Sequence, residues 1–88
     1  MRFRQDPRKA AANLRKHKIA LADGEGVFGD PLAVTVEDPD AEGERRFAAI
    51  GLGSAGELLV VVYTEEDDEC RIISARRPTR KERKQYEG

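Results

Sequence analysis

The sequence predicts an α+β fold: an antiparallel sheet of about four strands plus a short N-terminal strand, packed with an N-terminal helix, a short second helix and a C-terminal helix. Three observations carry this expectation. An Asp6-Pro7 pair opens a stretch with apolar residues at helical spacing, apolar runs of strand length alternate with turn residues between positions 32 and 75, and Thr79-x-x-Glu82 forms a capping box near the end. The 88 residues are of a size for one domain, taken as residues 1–88, too small for a large cofactor cleft or a two-domain active site.

Arg2 to Arg4 reads as a short first strand. Asp6 can accept the orphan amide hydrogens of a first helical turn and Pro7 suits the first helical position, so a helix is expected from Pro7 to about Lys18. Ala10, Leu14 and His17 share one face of it and form its expected apolar side. Between Ile19 and Gly26, Ile19 and Leu21 suggest a helical turn that Gly24 and Gly26 weaken, which gives a short irregular helix or loop. Leu32, Val34 and Val36 alternate with Ala33, Thr35 and Glu37, the period of a strand with one buried face. An acidic connection over Glu37 to Glu44 leads to a strand at Phe47 to Leu52, and Gly53-Ser54-Ala55-Gly56 reads as a hairpin loop. Leu58 to Tyr63 is apolar at both parities and is expected in mid-sheet with both faces covered. Glu65 to Glu69 reads as an acidic turn, Cys70 to Ala75 as the last strand, and Arg80 to about Tyr86 as the closing helix.

The charges are segregated. Residues 1–18 carry seven basic residues against one acidic, residues 19–70 two against fourteen, and residues 71–88 seven against two, giving +6, −12 and +5. The fold order brings both basic ends to one sheet, where Arg2, Lys9, Lys16 and His17 can share a phosphate-attracting surface with Arg71, Arg76, Arg80 and Lys84, and the acidic middle is expected to face elsewhere. Solvated helix faces explain the same charges and remain open at this point. With 38% charged and 6% aromatic residues the core is small, so a partner chain is expected. A single cysteine, Cys70, excludes an internal disulfide, and neither a CxxC nor a Cys/His cluster offers a metal site, so no metal or cofactor is expected. The longest apolar run is too short to cross a bilayer and the N-terminus does not resemble a signal peptide, so a cytoplasmic protein without membrane contact is expected.

Cutting RNA without a metal needs a base for the 2′-hydroxyl proton, an acid for the leaving 5′-oxygen, and cations for the charge growing on phosphorus. His17 is the only histidine, and imidazole is the side chain that ordinarily titrates near neutrality. Glu65 and Tyr63 end the central strand, while Arg76 follows Ile72-Ile73-Ser74-Ala75 with a stem expected to be half-buried. A structural ion pair with the acidic middle is the rival reading for Arg76, and Arg46, ahead of Phe47, has the same character. The acidic turn lacks the pattern of a calcium loop, and Cys70 reads as a half-buried strand residue.

Read together, Asp6-Pro7-x-Lys9-Ala10-x-x-Asn13-x-x-Lys16-His17, Val27-Phe28-Gly29-Asp30-Pro31, Glu44-Arg45-Arg46-Phe47 with Ile50-Gly51, Leu59-Val60-Val61-Val62-Tyr63-Thr64-Glu65, and Arg71-Ile72-Ile73-Ser74-Ala75-Arg76-Arg77 with Glu82 and Tyr86 resemble the BrnT family of toxins across nearly the whole chain. The resemblance implies a RelE-like fold, RNA cleavage that halts translation, and a BrnA-type antitoxin that neutralises the toxin in a hetero-oligomer and supplies the DNA contact, so that DNA is reached only indirectly. Its matched polar positions are Lys9, Lys16, His17, Arg46, Glu65, Arg76 and Glu82. Within this reading Arg76 and Arg46 are expected as cations on the phosphate, His17 and Glu65 as acid and base, and Lys9, Lys16 and Arg80 as RNA-binding residues. Three departures stand out: Lys18 where the family tends to have Gly, Gln5 where it has an aromatic, and Glu66 where it has Arg. Glu66 keeps a second reading open, a non-catalytic toxin-like module that only binds an antitoxin or co-repressor.

Overall fold

In the computed structural model, which describes residues 2–39, 41 and 43–88, the chain runs β1 (Arg2–Gln5), α1 (Pro7–His17), a 3₁₀ helix (Leu21–Gly29), β2 (Val34–Glu37), β3 (Arg46–Leu52), β4 (Leu58–Glu66), β5 (Glu69–Arg76) and α2 (Arg80–Glu87). The strands form one sheet in the order β1-β5-β4-β3-β2, antiparallel except that β1 runs parallel to β5. The α+β arrangement follows the sequence expectation, with β1 joining the sheet outright. The expected acidic connection contains Asp40 and Glu42, which lie outside the described residues.

β4 occupies the centre, as its double-parity apolar run implies, and residues Leu58 to Val61 are buried on both faces. One face carries the main core, in which Leu59, Val61, Tyr63, Cys70, Ile72 and Ala75 meet Ile19, Leu21 and Val27 from the segment after α1. A chain of rings, Phe3 to Phe28 to Tyr63 to Phe47, crosses this face at centroid distances of 5.1, 4.7 and 5.5 Å. The other face has a smaller cluster of Ile50, Leu58 and Val60 with Ala48 of β3 and Tyr86 of α2 packed on it.

α1 starts as expected, with the Asp6 carboxylate accepting from the Arg8 amide at 2.8 Å. Its buried face keeps Ala10, packed on the main core, and half-buried His17 from the expected side, but Asn13 turns inward and Leu14 is 53% exposed. The reason is the edge of β5. β1 pairs with β5 only as far as Ile72, and beyond it Asn13 takes the place of a neighbouring strand. Its Oδ1 accepts from the Ala75 amide at 3.1 Å, and its Nδ2 donates to the carbonyls of Ala75 and Ile19, both at 2.8 Å. Lys18 ends the helix in the left-handed region at φ 62°, with its amide donating to the Leu14 carbonyl. This is the conformation that favours glycine, so the resemblance's Gly at this position has a backbone cause.

The segment after α1 winds into a longer 3₁₀ helix than expected, and its glycines fit a close approach. The Asp23 carbonyl accepts from the Ser54 amide at 2.8 Å, and a Cβ on Gly26 would run into the Ser54 backbone while one on Gly53 would meet the Asp23 carbonyl. β2 corrects a second expectation. It begins at Val34 rather than Leu32, and the alternating residues Leu32 and Val36 are 69% and 54% exposed, because β2 is an edge strand that α2 does not reach far enough to cover. The Asp30 carboxylate ties the sheet's end together by accepting from the Tyr86 hydroxyl at 2.6 Å and from the amides of Leu32 and Leu52 at 2.9 Å. These three bonds hold the Asp30 carboxyl below its usual range, the tyrosine first. α2 carries the expected capping box between Thr79 and Glu82.

Candidate functional site

Side chains of directly paired strand residues share a face, so the register sorts every strand residue onto the covered or the open side. Tyr63 pairs with Phe47 and Ile72 on the covered side. One step along, Thr64 pairs with Arg46 and with Arg71, and Arg71 with Arg4, which sets Arg46, Thr64, Arg71 and Arg4 in one row across four strands on the open side. The three arginines are exposed and Thr64 is 4% exposed beneath them. The next row on this side is Ser74, Val62, Ala48 and Val36, and the one after it holds Arg76, Val60, Ile50 and Val34.

A bulge makes this alignment. Arg71 and Arg76 are separated by an odd number of positions, so strict alternation would put them on opposite faces. Val62 pairs with Ser74 and Tyr63 with Ile72, leaving Ile73 as the extra residue that resets parity and returns Arg76 to the face of Arg71.

α1 borders the open face. An open cleft of about 470 Å³ lies between Arg4, Arg71 and Lys9, and a second of about 190 Å³ between Lys9, Lys16, His17 and Ser74. Lys9 lines both. The structure thus brings Lys9, Lys16 and His17 to one margin of the face that carries Arg46 and Arg76. His17 is half-buried at the end of α1, where its carbonyl accepts from Arg77 at 3.1 Å. Arg80 is exposed in the first turn of α2, beyond Arg76.

Arg76 is gripped by Glu82 in a two-pronged pair, Nη1 to Oε1 at 2.7 Å and Nη2 to Oε2 at 2.8 Å. The same Glu82 accepts from the Thr79 amide at 2.9 Å, so one carboxylate caps α2 and aims Arg76. The Arg76 guanidinium holds the Glu82 carboxyl down at about 2, helped by Thr79 and opposed by burial. Arg76 therefore does form a structural ion pair, with Glu82 of α2 rather than with the acidic middle.

Two expectations need correction. Glu65 pairs with Cys70 on the covered side, one parity step from Thr64, so it does not join His17, Arg46 and Arg76. The acidic middle does not face elsewhere: Glu69 pairs with Arg2 and Arg4, Glu44 with Arg71, and Glu57 with Arg77. Tyr63 is buried in the ring chain, where burial raises its hydroxyl pKa, and Cys70 is fully buried and pushed up to about 11 by that burial, which removes it as a nucleophile. Sequence reasoning missed Arg4, Thr64 and Ser74. Phe3 offered a signal for Arg4: once Phe3 is core, strand parity sends both of its arginine neighbours to the other face.

Among the described residues no group of three or more His, Cys, Asp or Glu is placed to hold a metal ion, and no helix is long and apolar enough to cross a membrane. Residues 6–82 match the family described as ribonuclease toxin, BrnT, of type II toxin-antitoxin system. No curated protein matches the chain.

Proposed function

Because the chain belongs to the BrnT family of ribonuclease toxins of type II toxin-antitoxin systems, we propose that it binds and cuts RNA on the open sheet face between α1 and α2. The chain is an endoribonuclease toxin, and its family implies an antitoxin that neutralises it. The observation that carries the placement is the gathering of Arg46, Arg71, Arg4, Lys9, Lys16, His17 and Arg76 on or beside one face with an apolar floor.

His17 takes the 2′-hydroxyl proton as the O2′–P bond forms, and returns it to O5′ as the P–O5′ bond breaks. The products are a 2′,3′-cyclic phosphate and a 5′-hydroxyl, with no metal in the step. Arg46 and Arg76 face the charge that grows on the phosphate, Arg76 through the N–H groups that Glu82 does not occupy. Lys9, Lys16 and Arg80 draw the strand in. Glu65, on the far face, is left outside the acid–base work. The antitoxin is of the BrnA type, DNA is reached only through it, and the single domain of residues 1–88 works in the cytoplasm as part of a hetero-oligomer.

Cleavage of an end-labelled RNA by the purified chain in EDTA tests this reading. His17→Ala and Arg46→Ala are expected to lose at least 10²-fold in rate while Glu65→Gln stays within a few-fold. Loss in Glu65→Gln with activity kept in the other two would move the site to the other face.

A further inference from the structure

Resting on that reading, we propose that the row Arg46, Thr64, Arg71 and Arg4 is the track on which a single RNA strand crosses the sheet, and that Glu69 is a built-in anion which a backbone phosphate displaces. The row spans three inter-strand spacings, about 14 Å, long enough to engage more than one phosphate. Thr64 lies covered beneath it, so an incoming strand meets the guanidiniums, Arg4 held by Glu69 and Arg71 with the exposed Glu44 carboxylate 3.9 Å away.

Glu69 marks the place of a phosphate. Its Oε2 stands 3.1 Å from Arg4 Nη1 and its Oε1 3.5 Å from Arg2 Nη2, so one sheltered carboxylate bridges two more exposed guanidiniums as a phosphate's oxygens would. The arginines are thereby oriented before any RNA arrives. Glu66 and the Asp67–Asp68 turn lie at this end of the sheet and bar the strand from that direction. In the other direction Lys9 lines the clefts of both Arg71 and His17 and leads the backbone toward the imidazole.

The neighbouring row explains why the strand is single. Val62, Ala48 and Val36 lie two residues along the strands from the arginines, about 7 Å away, and form an apolar strip parallel to the track. A strand with its phosphates on the arginines lays its bases on this strip, which requires those bases to be unpaired.

The test uses the full chain with a 2′-O-methyl RNA oligomer, which lacks the attacking hydroxyl, and measures binding by fluorescence anisotropy across a salt series. Arg4→Ala and Arg71→Ala are each expected to flatten the slope of log K against log salt by about 0.7, equivalent to about fivefold at 0.1 M salt relative to 1 M. Glu69→Gln is expected to tighten binding, a change that misfolding does not produce, and Arg83→Ala on α2 to leave it unchanged. The duplex form of the same oligomer should bind more weakly than the single strand.

Unchanged slopes in Arg4→Ala and Arg71→Ala, or no tightening in Glu69→Gln, would overturn the track. If His17→Ala still abolishes cutting of ordinary RNA in that case, the site reading survives without it. If Arg4→Ala and Arg71→Ala weaken only capture of the antitoxin, the row belongs to that protein and the proposal fails.

Discussion

The two faces of the sheet are made by the same strands and do opposite work. On the covered side Leu59, Val61, Tyr63, Ile72 and Ala75 are sealed by the segment after α1 and a chain of four rings. On the open side their immediate neighbours Thr64, Arg71, Ser74 and Val62 face a surface that α2 covers only over Ile50, Leu58 and Val60. A period-2 chain thus buries one parity in the core and leaves the other open for the RNA contact proposed above, and one bulged residue, Ile73, keeps that sorting consistent along β5.

The contrast can be broken most strongly from the covered side. Ile72→Ala or Leu59→Ala should cost about 2–5 kcal/mol in urea unfolding, whereas Val62→Ala on the half-buried open side should cost clearly less. Equal losses would mean that the faces do not differ as described. Asn13→Ala leaves the Ala75 and Ile19 backbone groups at the β5 edge without their partner, and should cost about 1–3 kcal/mol by the same measurement.

Lys18→Gly removes a non-glycine residue from the left-handed region and should raise stability by about 1 kcal/mol, read as a higher Tm. Glu82 sharpens the contrast through pH. Its folded carboxyl sits at about 2, below its ordinary value of 4.5, so the stability it contributes is full above 4.5 and is lost as pH falls toward 2. Thermal unfolding of Glu82→Gln should therefore show a lower Tm at neutral pH and a smaller decline than the parent between pH 4.5 and 2.

Much of this was legible in the sequence. The Asp6-Pro7 start, the double-parity run of β4 and the capping box each state their own structure, because their signals are local. What was not legible depends on partners distant in sequence. Leu14 looks like a core residue until the β5 edge claims Asn13, and Val36 looks buried until β2 proves to be an edge strand. Glu65 falls on the covered face by a single parity step, which no charge pattern encodes, and Arg4 reaches the arginine row of the open face only through a parallel pairing across most of the chain. The acidic middle supplies the carboxylates that hold the basic ends in place, a relation that segment charges alone do not show.

The division of labour is tested most directly by inducing the chain alone in growing bacteria and following growth and mRNA integrity, with Arg46→Ala beside the parent at matched expression and matched Tm. Arrested growth and cut mRNA are expected for the parent, and normal growth with intact mRNA for Arg46→Ala. Full toxicity in Arg46→Ala at an unchanged Tm would contradict it.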